Sequence, residues 1–205
     1  MELREALTQI SEIRAQMAQS QVFRGYRSVT AGISAGVAVL AALLQPLLVA
    51  DPARDLIAYV ALWGSAAALS MLVVGVEMFF RLRRMESAVQ SQLTMLAVEQ
   101  FVPSVMAGAL LTAICLGVVP SLGATLPGFW MIFFALGVFA SSRVLPRPTF
   151  WVAGFYLLAG TATLCGQGRW ALSPWTMGGV FGVGQTLAAV VLYRGLERRD
   201  MPGAA

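Results

Sequence analysis

Residues 28–50 read SVTAGISAGVAVLAALLQPLLVA, an unbroken run without a charged side chain. About 20 mostly apolar residues in a row cross the hydrocarbon core of a bilayer as a helix, so this stretch predicts a transmembrane span. Inside it, Gly32-Ile33-Ser34-Ala35-Gly36 fits the G-x-S-x-G spacing of a serine hydrolase nucleophile elbow. The elbow needs a strained strand-to-helix turn and a histidine to take the serine proton. The chain has no His and no Lys, which removes both the usual base and a Ser-Lys dyad. The helical reading therefore prevails. Gly32 and Gly36 lie one turn apart on one face, where small residues admit a second helix, and Ser34 is expected to bond back to its own helix.

Working outward, the composition repeats the theme. Of 205 residues, 58% are apolar and 12% charged, with a mean hydropathy of +0.75; soluble domains average about 45–50% and 25%. Six apolar stretches lie at Ser28–Ala50, Leu56–Phe80, Leu96–Val119, Leu126–Leu145, Phe150–Cys165 and Pro174–Tyr193. The fifth is short, and is expected to gain length from the flanking RPT and GQG. The amphipathic stretch Met85–Leu96 extends the third span. The first run is too long for the core of a cleavable signal peptide, so none is expected.

Arginine sets the orientation. Arg4, Arg14, Arg24 and Arg27 precede the first span; Arg81, Arg83 and Arg84 follow the second; Arg143 and Arg147 the fourth; Arg194, Arg198 and Arg199 the sixth. Only Arg54 and Arg169 fall in the alternate loops. This bias predicts both termini in the cytoplasm. It also accounts for the basic charge without a nucleic-acid surface, so no nucleic acid is expected as a partner. The resulting fold class is all-α: a polytopic integral membrane protein with six transmembrane helices. Residues 1–27 form an N-terminal cytoplasmic amphipathic helix, residues 28–200 the bundle, and residues 201–205 a disordered tail.

In the N-terminal segment Leu3, Ala6, Ile10, Ile13 and Met17 recur at helical steps, a face for the bundle, the membrane or a cytoplasmic protein partner. Trp130, Trp170 and Trp175 are expected at the outer interface and Trp151 at the inner one, as an anchoring belt.

Few groups are left to carry chemistry. Without His, and with Cys115 and Cys165 on different helices, no metal or other cofactor is expected. The two thiols are read as separate rather than as a disulfide. Three polar residues form a candidate pathway: Glu77, Glu99 and Gln185. A carboxyl within the hydrocarbon is costly unless paired or protonated, although Glu77 stands four residues before Arg81, an ion-pair spacing. Glu99 has no Arg at that spacing and precedes Pro103, a residue that distorts helices. In the sixth span Gly178 and Gly182, with Gly179 and Gly184, mark close helix packing or a loosened helix beside Gln185.

The stretches RAQMAQSQVFRGYRSVTAG, AVEQFVPS, SSRVLPRPTFWVAGFYLLAG and SPWTMGGVFGVGQ resemble an uncharacterised group of six-helix bacterial inner-membrane proteins. The resemblance implies fold and localisation, and it transfers no site residue. The expected role is non-enzymatic: a regulatory or scaffold component of the bacterial cytoplasmic membrane that engages the lipid bilayer and a cytoplasmic protein, with a homo-oligomer also allowed. The alternative is a small-molecule or ion transporter or channel using Glu99, Gln185 and the Gly-rich sixth helix.

Overall fold

The computed structural model describes residues 28–83, 88–142, 147–166 and 170–194. The amphipathic segment 1–27 and the tail 201–205 lie outside the described residues, as does the side chain of Arg81. Among these residues six α-helices follow one another: α1 (Ser28–Leu48), α2 (Leu56–Leu82), α3 (Ala88–Gly117), α4 (Leu126–Ser141), α5 (Thr149–Cys165) and α6 (Pro174–Leu192). A 3₁₀ helix, Pro120–Thr125, leads into α4. No strand occurs among the described residues.

Among the described residues, five segments are long and apolar enough to cross a membrane: Ser28–Leu48, Leu56–Phe80, Met95–Gly117, Pro120–Ser141 and Pro174–Leu192. The helix α5 is apolar but has 17 residues. Only Thr149 lengthens it beyond the apolar run, because Gly166 already caps its end, its N–H bonding to the Ala162 carbonyl at 2.9 Å. The outer surface is apolar along its height. Leu47, Leu72, Leu110 and Leu158 are all more than half exposed, a surface suited to lipid rather than water.

Local chemistry sets where the helices start. Asp55 caps α2, its Oδ1 accepting from the Ala58 N–H at 2.9 Å. Pro120, Pro127 and Pro174 fall in first turns, where a missing N–H is tolerated. The segments 49–55, 118–125 and 170–173 share one end, the Asp51 end, where Gln45 reaches Leu172 and Gly123 packs on Leu56. The opposite, Arg-rich end carries the start of α1 and the end of α6.

Around the bundle the helices pack in the order α3, α4, α5, α6, α1, α2, and α2 touches α3 least. Glycines set the two closest pairings. A Cβ at Gly178 of α6 would collide with the Ala42 Cβ and stand 3.0 Å from the Ala38 carbonyl, and one at Gly182 would stand 3.0 Å from Val39 Cγ2. Between α4 and α5, a Cβ at Gly160 would lie 2.7 Å from the Gly128 carbonyl. Backbones touch at both places.

Two buried clusters fill the interior. Tyr59, Trp63, Met131 and Met177 anchor the one nearer the Asp51 end. Ala135, Val152 and Tyr156 form the other, where Phe134 packs on Phe101, Tyr156 and Phe181 at 4.7–5.6 Å between ring centroids.

Candidate functional site: a buried amide latch and a lateral groove

An amide in the middle of an apolar helix must find partners, because an unpaired polar group away from water costs free energy. Gln45, one residue before Pro46 in α1, is 1% exposed. Its Nε2 donates to the Leu172 carbonyl at 2.9 Å, and its Oε1 accepts from Trp63 Nε1 at 2.9 Å. One side chain thus ties α1 to α2 and to the segment entering α6. A parallel device joins α3 to α4: Trp130 Nε1 donates to Thr112 Oγ1 at 2.9 Å, and Thr112 donates to the Gly108 carbonyl at 2.7 Å. Toward the Arg-rich end, Ser141 Oγ of α4 donates to the Ala97 carbonyl of α3 at 3.1 Å.

Tyr59 sits between the two devices. Its ring stacks on Trp130 at 6.4 Å and 5°, and lies 6.5 Å from Trp63. The residue is fully buried, yet its hydroxyl has no hydrogen-bond partner among the described residues. Tyr59→Phe keeps the stack and removes an unpaired polar group, so it is expected to raise stability by about 1 kcal/mol. Thermal unfolding in detergent reads this directly; a clear loss would mean that the hydroxyl is bonded.

A concavity lies outside, between α1 and α6. It is an apolar groove of about 820 Å³, floored by Gly32, Gly36 and Gly179 and walled by Leu40, Leu43 and Val183. A Cβ at any of those three glycines would meet no atom of the described residues within 4 Å. Of the four glycines singled out by spacing, Gly178 and Gly182 therefore meet α1, whereas Gly32 and Gly36 meet no other helix among the described residues. Ser34 is buried, and its hydroxyl donates back to the Thr30 carbonyl of its own helix at 3.0 Å.

The candidate polar residues occupy three different settings. Glu99 is exposed on α3, Glu77 is half-buried on α2, and Gln185 is buried on α6. Cys115 is buried and Cys165 exposed, and both thiols are free. No cluster of three metal-ligating side chains occurs among the described residues. Trp170, Trp175 and Trp151 are more than half exposed, as a belt requires, but Trp130 turns inward to Thr112 and Tyr59.

Sequence reasoning passed over Gln45, Trp63 and Thr112. The available signal was a lone amide inside ALLQPLLVA and a tryptophan two turns into a span, away from belt depth. The partners of Gln45 lie 18 and 127 residues away, beyond any local pattern. Comparison with known proteins adds no assignment: no family model, no curated protein and no solved structure matches this chain.

Proposed function

We propose that this chain is a non-enzymatic six-span protein of the bacterial inner membrane, with both termini cytoplasmic, serving as a regulatory or scaffold component for a cytoplasmic partner. The observation that carries the reading is the use made of interior polar groups. Gln45, Trp63, Thr112, Trp130 and Ser141 spend their hydrogen bonds on other helices and on backbone carbonyls. A permeation path needs polar groups aimed at a wet cavity, and the large groove is apolar and opens sideways. The arginine bias supports the orientation, and the apolar face of residues 1–27 supports a docking helix.

The test pairs two measurements on the full-length chain. In liposomes it is expected to pass no more protons or ions than empty liposomes, with Glu99→Gln changing nothing. In cells, a photo-crosslinking residue at Ile10 is expected to trap one discrete cytoplasmic protein, and one at Ala53 none. Flux that Glu99→Gln or Gln185→Leu abolishes would favour the transporter, and absence of an adduct at Ile10 would remove the scaffold reading.

A further inference from the structure

The helices α2 and α3 touch each other least, and both turn most of their length outward. Within their apolar stretches 11% of α2 and 6% of α3 is buried, against 39% in α1 and α6. The inward side of α3 is fixed by its bonds to α4 at Ala97 and Thr112 and by the packing of Phe101 on Phe134. A helix turns about 100° per residue, which sets Glu99, Met106 and Leu110 on the opposite side, and all three are exposed. On α2, Tyr59 and Trp63 point inward. Gly64, Ala68 and Gly75 are exposed on the far side, and a Cβ at either glycine would meet no atom of the described residues within 4 Å.

The two outward faces match in depth. Phe80 and Met95 are the Arg-rich ends of the two spans. Counted from them at about 1.5 Å per residue, Ala68 and Met106 lie about 18 and 17 Å in, and Gly64 and Leu110 about 24 and 23 Å in. Small residues of α2 thus stand at the levels where α3 carries long ones. Charge is matched as well. Glu99 lies about 6 Å inside its span, where a carboxylate without a partner is costly. Arg83 lies just beyond Phe80, but its guanidinium folds back over the Phe79 ring, 4.5 Å from the centre, toward the level of Glu99. Neither residue makes an ion pair among the described residues.

We infer that two copies of this chain pair through α2 and α3, with Glu99 of each copy opposite Arg83 of the other. A surface that carries both halves of a match, small against long and acid against base, is complementary to its own two-fold copy. In that arrangement α2 of each copy lies against α3 of the other, and a shared orientation in the membrane keeps the levels aligned. The charges favour a second copy over lipid tails, which offer Glu99 no cation. The inference goes beyond the scaffold reading and does not depend on it.

Energy transfer between full-length chains in phosphatidylcholine liposomes tests it, with donor and acceptor dyes on the exposed Cys165. Transfer should rise to a dimer plateau as the protein-to-lipid ratio increases. Glu99→Arg or Arg83→Glu should weaken pairing about tenfold, and the two together should restore it to within about threefold. Gly64→Leu puts a long side chain into open space, so it should unfold at the parent's temperature yet lose pairing. Transfer no greater than random proximity in the parent would give the face to lipid and overturn the inference. Pairing that survives Gly64→Leu would place the interface elsewhere, and a folded double variant that stays unpaired would show that the two charges do not meet; either result overturns it. Should a reversed charge prevent folding, Gly64→Leu alone decides.

Discussion

Gly160→Leu is expected to cost more than 3 kcal/mol and to leave little folded protein at growth temperature. At Gly160, α5 rests on α4 through backbone: an added Cβ would stand 2.7 Å from the Gly128 carbonyl, 2.9 Å from Ile132 Cγ1 and 3.0 Å from Met131 Cβ. The carbonyl cannot rotate away as a flexible side chain would, so the two helices must separate. Overpacking a well-filled core costs about 1–3 kcal/mol, occasionally more. Here separation also opens the contacts of Met131, which is fully buried. Thermal unfolding in detergent measures the loss, with Gly36→Leu as the matched control. The control adds the same side chain to open space and is expected to unfold within about 0.5 kcal/mol of the parent, the usual range for surface changes. Equal losses in the two variants would mean that helix propensity, not helix contact, governs both sites.

Gln45→Met is expected to destabilise by about 3 kcal/mol. Methionine approximates the shape of glutamine and removes both hydrogen bonds, leaving the Trp63 N–H and the Leu172 carbonyl without the partner each has at 2.9 Å. Stranding a buried donor or acceptor costs about 1–3 kcal/mol per group. The site is nearly sealed, with Gln45 at 1% and Trp63 at 4% exposed, so water gives little relief. Chemical unfolding in detergent, or protease resistance in membranes, reads the change. A loss below about 1 kcal/mol would mean that the three segments hold together by apolar contact alone.

The spans were legible because their signal is local. Runs such as 28–50 and 174–193 are apolar for about as long as a bilayer is thick, and no tertiary information is needed to read that. Even there, α5 shows a limit: Gly166 stops the helix after 17 residues, where flanking residues looked able to prolong it. The packing glycines were less legible. Gly32 and Gly36 have the same four-residue spacing as Gly178 and Gly182, yet one pair floors an open groove and the other meets Ala42 and Val39. Spacing places two residues on one face, but only the fold decides what that face meets. Gly128 and Gly160 have no second glycine at four-residue spacing and carry no motif, although they make the tight contact between α4 and α5. The polar candidates suffered the opposite bias. Charge drew attention to Glu99, which is exposed, while the neutral amide of Gln45 holds the buried cross-link. Trp130 looked like a belt residue by depth alone; Thr112 and Tyr59 turn it inward.

Gln45 and Trp63 act as one unit that joins α1 to α2. A double-mutant cycle of Gln45→Met and Trp63→Phe, measured as unfolding free energy in one detergent, tests that claim. Each single change strands the other partner, so the double variant should cost less than the sum of the two, by about 1 kcal/mol or more. Strict additivity would contradict the latch, because it would mean that the two side chains contribute independently and that the 2.9 Å contact between them does not hold the helices together.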